Sequence, residues 1–266
     1  MADQADRHQL YELSVQCAEA EVDFVQSTFK ALRGRAALLL REDFCGTFGV
    51  CCEWVRRHRR HRAIGVDLDP DVLAWGREHN LATLTSTQAR RVELVRGDVR
   101  RARTEAPDVI LAMNFSYWLF RERRELKRYF RAVHRALVTD GILFMDAYGG
   151  YEAFKELEET REVDTPQGRM TYTWEQARFN PIDHELVCHI HFDFEDGSRL
   201  ERAFSYHWRL WTLPELKDLL EECGFDVIFY WQGWDEDGEP DGDFKPATEA
   251  DADAGWICYI AALKKT

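Results

Sequence analysis

The sequence predicts an α/β protein built on a mostly parallel β-sheet. In the first half of the 266-residue chain, short apolar runs alternate with helical patterns, and in the second half the pattern changes to strand-like alternation. The composition, 45% hydrophobic and 31% charged, is that of a globular protein. Strands that alternate with helices require crossover connections, which place helices on both faces of a parallel sheet.

Five apolar runs of strand length mark the parallel part of this sheet. They lie at residues 36–40, 62–67, 92–95, 108–113 and 141–146. Helical patterns cover residues 9–33, 49–60 and 121–137, and a further helix is expected to begin at Asp69-Pro70 because proline suits a first helical turn.

The second half predicts an antiparallel insertion after the fifth strand. Three β-rich runs, at 170–179, 186–194 and 200–211, are separated by the turn signals Asn180-Pro181 and Asp196-Gly197. A helix at 212–224 and strands at 225–231 and 256–263 would then complete a sheet of seven strands, with the acidic segment 232–255 as an exposed loop. The predicted units are an N-terminal helical cap (1–35), a core (36–150), the insertion (151–211) and a completing segment (212–266).

Charge and cysteine content narrow the class of protein. The net charge of −13 is uneven, because residues 1–135 are net positive and residues 136–266 are strongly negative. An acidic half repels phosphate backbones, which disfavours a nucleic-acid partner, although the arginine-rich segments 56–62 and 121–135 leave RNA open. No apolar stretch has the length of a membrane span, no signal-peptide pattern begins the chain, and the seven cysteines form no C-x-x-C pair. We therefore expect a cytoplasmic protein.

Acidic and glycine residues follow successive predicted strands, where open α/β sheets bind ligands. Gly46, in the turn after the first strand, permits close backbone approach, and Asp67 ends the second strand at a spacing typical of ribose recognition. Asp98 ends the third strand and is able to accept a hydrogen bond from an amine. A nicotinamide site would require G-x-G-x-x-G, but bulky Phe44 and Phe48 flank this turn, so an adenosine ligand without a pyrophosphate fits better.

Taken in order, these residues resemble the class I S-adenosylmethionine-dependent methyltransferases, over about residues 36–147 and again at the end of the chain. Residues 42–48, EDFCGTF, are similar to the family turn E/D-x-G-x-G-T-G, with Phe44 and Phe48 in place of glycines. The resemblance implies a Rossmann-like core, S-adenosylmethionine as cofactor and S-adenosylhomocysteine as product. The cofactor-binding residues that it predicts are Tyr11, Arg41, Glu42, Phe44, Cys45, Gly46, Thr47, Asp67, Leu68, Asp98, Val99 and Asn114.

The resemblance also locates a substrate side. Residues 114–117, NFSY, follow the fourth strand and are similar to the family's N/D-P-P-Y loop without its prolines, and the antiparallel insertion is expected to cover the acceptor. The predicted substrate-binding residues are Phe115, Tyr117, Trp118, Tyr151, Trp174, His191 and Trp211. His189 and His207 are candidate general bases and Tyr148 is a further catalytic candidate, since histidine titrates near neutral pH.

The predicted reaction is methyl transfer to a nitrogen or oxygen of a small molecule of cationic or aromatic character. RNA or protein methylation on the same fold, and a non-catalytic S-adenosylmethionine-binding protein, remain alternatives. No metal is predicted, because His189 and His191 share a strand face without a third ligand fixed by spacing. An exposed edge of the insertion would allow two chains to pair as a homodimer.

Overall fold

The computed structural model describes residues 1–166, 168–234 and 240–265. Its strands form an eight-stranded main sheet and a separate four-stranded antiparallel sheet, here called the cap sheet, made of β6–β9. In chain order the strands are β1 (Leu39–Asp43), β2 (Arg62–Asp67), β3 (Val92–Arg96), β4 (Val109–Ala112), β5 (Ile142–Gly149), β6 (Leu157–Thr165), β7 (Gly168–Phe179), β8 (Glu185–Phe194), β9 (Arg199–Arg209), β10 (Phe225–Trp234), β11 (Pro240–Ala247) and β12 (Trp256–Lys264).

The main sheet has the order β11-β10-β12-β5-β4-β1-β2-β3. Strands β1–β5 are parallel, and β10–β12 pair antiparallel at one end. The chain reverses its direction of strand addition between β1 and β4, which opens a crevice at the carboxyl ends of the strands. The fold class predicted from the sequence is therefore confirmed, including the antiparallel insertion after β5.

Seven α-helices accompany the strands in the described part of the chain, and several begin at side-chain caps. Asp69 accepts a hydrogen bond from the Asp71 amide ahead of Pro70, and Thr212 forms a reciprocal capping box with Glu215. The helices are α1 (Arg7–Ser14), α2 (Ala18–Arg33), α3 (Gly49–Arg57), α4 (Pro70–His79), α5 (Ser86–Ala89), α6 (Arg123–Ala136) and α7 (Leu213–Glu221). Within the described residues, no helix combines the length and apolarity that a membrane crossing needs.

Apolar side chains form three clusters. One includes buried residues of α6 and α7 together with strand residues such as Leu143, and a second includes α2, α3 and strand residues such as Leu111. These two clusters lie against the main sheet, as expected for an α/β core covered by helices on both faces. A third cluster joins Leu10 of α1 to Ile190 and Phe192 of the cap sheet, so the N-terminal helix packs against the insertion.

Three sequence expectations about the elements need correction. The segment 232–255 is not only a loop, because β11 pairs antiparallel with β10 and makes an eighth strand. Its Pro, Gly and Asp residues are tolerated because β11 is an edge strand. The insertion has a fourth strand, β6, which was not predicted because its sequence is mostly charged and lacks an apolar alternation. The first strand begins at Leu39, so residues 41–43 belong to a strand and not to a turn. The predicted domain boundaries stay predictions.

Candidate active site

The turn after β1 follows a backbone path that normally favours glycine. Phe44 has φ +58°, Gly46 has φ +51° and Phe48 has φ +50°, all in the left-handed region. Residues with a Cβ rarely adopt this conformation, because the Cβ approaches the following carbonyl oxygen. The two phenylalanines therefore keep the glycine-like turn, at the cost of local backbone strain.

Packing explains how Phe48 is accommodated. Its side chain is fully buried, and its ring occupies space beside Gly76 in α4. A Cβ at Gly76 would lie 2.5 Å from the Phe48 ring and 2.6 Å from the Thr47 carbonyl oxygen. The glycine missing from the turn is thus matched by a glycine on the facing helix.

Buried charges anchor the end of β1. Arg41 donates to Asp43 at 2.6 Å and to the Val99 carbonyl oxygen at 3.0 Å, and Tyr129 donates to Asp43 at 3.0 Å. The pair is almost completely buried, and these hydrogen bonds satisfy its charges. Glu42 accepts from the Cys51 amide at 3.2 Å, and burial raises the pKa of Glu42 to about 7.

A cavity of about 550 Å³, here called the strand-end cavity, lies at the carboxyl ends of β1–β4. Ten of the twelve predicted cofactor-binding residues line it: Tyr11, Glu42, Phe44, Gly46, Thr47, Asp67, Leu68, Asp98, Val99 and Asn114. Arg41 and Cys45 do not. Arg41 instead holds the Val99 segment, and Cys45 is buried against Gly65.

Two carboxylates at strand ends are fixed by hydrogen bonds. Asp67 accepts from the Gly46 amide and from the Asp69 amide, each at 2.9 Å. Asp98 pairs with the Arg100 guanidinium at 2.7 Å, which lowers the pKa of Asp98. The lowered pKa keeps Asp98 ionised at neutral pH, and the hydrogen bonds hold both side chains at the cavity wall.

The N-terminal helix α1 closes one side of the strand-end cavity. Glu12 accepts hydrogen bonds from the Thr47 hydroxyl and from the Asn80 amide, the latter at 2.6 Å. Arg7, His8 and Gln16 also line the cavity. The sequence analysis placed Tyr11 of this segment at the cofactor but missed these three residues, because no local pattern shows which other side chains of residues 7–16 face the turn after β1.

A second cavity, of about 680 Å³, lies between the cap sheet and the ends of β5, β10 and β12, and is here called the cap cavity. Its polar residues include Glu152, Glu159, Arg161, Gln176 and Gln232. Aromatic side chains form much of the remaining wall: Tyr11, Phe115, Tyr148, Tyr172, Trp174, Tyr206, Trp208, Trp234 and Trp256.

Four residues line both cavities and are here called the shared wall: Tyr11, Asn114, Tyr206 and Trp208. The rings of Tyr206 and Trp208 stack with centroids 4.3 Å apart. The two cavities therefore adjoin along these four residues.

The Asn114–Phe115 corner beside the shared wall is held from β5. Asp146 accepts hydrogen bonds from the backbone amides of Asn114, at 2.8 Å, and Phe115, at 2.9 Å. Burial raises the pKa of Asp146 to about 7. This role of Asp146 was not predictable from the sequence, because Asp146 is a single acidic residue in an otherwise apolar strand.

The structure places the three predicted catalytic residues in different surroundings. Tyr148 lines the cap cavity and donates to Gln176 at 3.3 Å, and His207 lines the strand-end cavity. His189 lines neither cavity, and its ring bonds Ser205 at 2.8 Å. Its neighbour Ile190 does line the cap cavity, and alternation puts the two side chains on opposite faces of the strand.

The predicted substrate-binding residues also separate into two groups. Phe115 and Trp174 line the cap cavity. The other five do not: Tyr117, Trp118 and Trp211 are buried in the core, Tyr151 is 57% exposed, and His191 pairs with Glu175 at 2.9 Å. Within the described residues, His, Cys, Asp and Glu side chains form no cluster of three or more able to hold a metal ion.

Comparisons with known proteins define the class. Residues 43–145 match a family model described as a methyltransferase domain. An S-adenosylmethionine-dependent methyltransferase from Clostridium acetobutylicum has 15% identity and a TM-score of 0.70, with 97% of each chain covered. CalS10, an amino pentose methyltransferase from Micromonospora echinaspora in complex with S-adenosylmethionine, has 16% identity and a TM-score of 0.70, with 96% of this chain and 95% of CalS10 covered.

A third solved structure is the sugar N-methyltransferase KedS8 from Streptoalloteichus, with 16% identity, a TM-score of 0.67, and 98% of this chain and 94% of KedS8 covered. No curated protein sequence matches the chain. The domain match, on the shared fold, confirms the class predicted from the sequence, a class I S-adenosylmethionine-dependent methyltransferase.

The residues of the strand-end cavity fit S-adenosylmethionine. A carboxylate has about four acceptor positions, so Asp67 retains two for ribose hydroxyls after its two backbone hydrogen bonds. No atom lies within 4 Å of the point where a Cβ of Gly46 would stand, which leaves room for a ligand beside the backbone. Val99 offers a buried apolar surface next to Asp98, as an adenine ring requires.

Proposed function

We propose that this protein methylates an amine nitrogen of a small molecule bound in the cap cavity. The observation that carries the proposal is that the two cavities share four lining residues. The cap cavity, which is aromatic and carries carboxylates, therefore lies next to the strand-end cavity, which fits S-adenosylmethionine. That cofactor supplies an electrophilic methyl group. CalS10 and KedS8 act on an amino pentose and on a sugar nitrogen, respectively.

The cap cavity has the features that recognise a cationic amine. Glu152 and Glu159 contribute carboxylates, and Glu152 is also paired with Lys155 at 3.3 Å. Arg161 is the one cationic side chain among its described lining residues, and its guanidinium lies over the Tyr172 ring at 4.8 Å. Electron-rich ring faces such as those of Trp174 and Trp208 attract cations.

The residues of the two cavities would contribute to transfer mainly by positioning. Asp67, Asp98 and Glu42 hold the donor, and the aromatic cap excludes water from the reaction path. The buried Tyr148 phenol has a strongly raised pKa, so it stays neutral and orients the acceptor by hydrogen bonding. Carboxylates of the cap cavity accept the proton that the ammonium form must lose before its lone pair can attack.

The test is a methylation screen with paired acceptors. Amino sugars, aromatic amines and their hydroxyl counterparts are supplied with S-adenosylmethionine, and product mass is measured together with released S-adenosylhomocysteine. We expect methylation of at least one amine and slower methylation of its hydroxyl counterpart. Faster hydroxyl methylation would make the enzyme an O-methyltransferase. Cofactor binding with no methylated product would favour a non-catalytic binder, and salt-sensitive tRNA retention would favour RNA.

A neighbouring pair of glutamates supplies a matched control. Glu159 lines the cap cavity, whereas the adjacent Glu158 does not. We expect Glu159→Gln to raise KM for the amine about threefold, since partly exposed charges contribute modestly, and Glu158→Gln to leave KM unchanged. Equal effects of the two substitutions would contradict a direct role of Glu159.

A further inference from the structure

Two consecutive residues at the junction of the cavities adopt a conformation that their side chains disfavour. Asn114 and Phe115 both have φ +56°. Asparagine tolerates the left-handed region, but phenylalanine rarely does. Such a pair persists only where surrounding contacts hold it, and conformations of this kind concentrate at functional sites.

The contacts that hold the pair converge on Asp146. Its two carboxylate oxygens each accept one backbone N–H, from Asn114 at 2.8 Å and from Phe115 at 2.9 Å. Asp146 is 6% exposed, and its carbonyl oxygen accepts from the Tyr117 hydroxyl at 2.8 Å. The carboxylate and the carbonyl of one residue thus fix three of the four residues from 114 to 117.

We infer that Asp146 is a positioning residue for methyl transfer, which acts by holding Asn114 and Phe115 at the junction of the two cavities. The inference rests on the proposed function. Asn114 belongs to the shared wall, and Phe115 lines the cap cavity with its ring 4.8 Å from that of Tyr148. A displaced corner would therefore change the boundary between donor and acceptor while the strand-end residues Gly46 and Asp67 stay in place.

The titratable neighbours of Asp146 are one carboxyl, three phenols and one thiol. The titratable side chains that face it are Glu21, Tyr11, Tyr117, Cys258 and Tyr259. Burial raises the pKa of each, so the phenols and the thiol stay neutral. Burial also raises the pKa of Asp146 to about 7. The Asp146 carboxylate is therefore ionised at pH 8 and gains a proton below pH 7, when it can no longer accept both hydrogen bonds equally.

A pair of ligands isolates this corner from the rest of the cofactor site. Sinefungin carries an amine where S-adenosylmethionine carries the transferred methyl group, and S-adenosylhomocysteine carries neither. The ratio of their affinities, measured by calorimetry, therefore reports the junction and cancels effects at the shared adenosine and methionine ends. We expect Asp146→Asn to reduce the relative affinity for sinefungin about fivefold at pH 8, as the loss of one ordinary hydrogen bond would.

Asp108 provides the matched control. Its carboxylate also accepts two backbone amides, from Leu38 at 2.7 Å and Leu39 at 3.0 Å, but it precedes β4, at the amino ends of the parallel strands and away from both cavities. Asp108→Asn should destabilise the fold and leave the ligand ratio unchanged. Hydrogen exchange should increase over residues 113–118 in Asp146→Asn and near residues 38–39 in Asp108→Asn.

The outcomes separate this inference from the proposed function. If the wild type binds neither ligand, the proposed function is wrong. If it binds both and Asp146→Asn leaves either the ratio or the protection of residues 113–118 unchanged, the positioning role is wrong. Should Asp146→Asn fail to fold, the wild-type ratio is measured between pH 8 and pH 6. A fall in relative sinefungin affinity below pH 7 supports the role, and a constant ratio overturns it.

Discussion

The two cavities are built by different means. Turns that follow β1–β4 wall the strand-end cavity, so Gly46, Asp67 and Asp98 each enter it from a strand end. The cap cavity is walled by side chains of the cap sheet, alternate ones on β7 and β9, and by residues of β10 and β12, which are distant in sequence. Backbone geometry therefore defines the first cavity, and sheet register defines the second. Substitutions at the two cavities should therefore have different effects on stability, binding and activity.

The largest expected effect tests the backbone geometry of the strand-end side. Gly76→Ala would place a Cβ 2.5 Å from the Phe48 ring and 2.6 Å from the Thr47 carbonyl oxygen. We expect it to lower the free energy of unfolding by about 2–3 kcal/mol, as overpacking does, although alanine normally favours a helix. Urea unfolding measures the change.

Gly49 serves as the control for this substitution, because it also lies in a helix and its Cβ would make only ordinary contacts at 3.7 Å. Gly49→Ala should be neutral or stabilising. An equally neutral Gly76→Ala would show that the turn relaxes freely, and the strand-end cavity would then not depend on a fixed backbone.

The next effect tests the binding side of the same turn. Asp67→Ala removes the acceptor of the Gly46 and Asp69 amides as well as the predicted ribose contact. We expect S-adenosylhomocysteine affinity to fall about 30- to 100-fold, since hydrogen bonds to charged groups contribute about 1.5–3 kcal/mol. Calorimetric titration measures it, with Asp71→Ala as an exposed control on α4. Comparable losses in the two variants would refute the assigned role of Asp67.

The smallest effect tests the register of the cap side. His189 is on the strand face opposite Ile190, and only Ile190 lines the cap cavity. His189→Gln should therefore leave the methylation rate within about twofold, because general-base catalysis contributes about 10²–10⁴-fold only where the base reaches the substrate. A hundredfold loss of the methylation rate would indicate that His189 is the general base, and it would contradict the orientation of β8 that turns His189 away from the cap cavity.

The positions of most strand-end residues could be predicted from the sequence, because the signals for them are local. An acidic residue that ends an apolar run already identifies Asp67 and Asp98. The left-handed conformation of Phe48 was not predictable, since it depends on Gly76, which lies on another helix. The sequence therefore shows the family turn after β1, but it does not show that Gly76 makes room for Phe48 in place of a glycine.

Prediction of the cap side was weaker, because facing depends on register and pairing. Alternation correctly grouped His189 with His191, but it does not say which face meets the core. The β-bulges in the pairing of β7 and β8 and of β8 and β9 shift the register further. Strands β6 and β11 were missed because charged and proline-containing edge strands lack an apolar pattern. Tyr117, Trp118 and Trp211 filled the core, as large aromatic residues commonly do.

The most direct test of the account is a crystal structure of the complex with S-adenosylhomocysteine. The account predicts that the adenosine lies in the strand-end cavity beside Asp67 and Asp98, with the sulfur atom at the shared wall near Asn114 and facing the cap cavity. A sulfur atom turned away from the cap cavity, or a ligand bound outside the strand-end cavity, would contradict the claim that the methyl group is transferred from the strand-end cavity to an acceptor in the cap cavity.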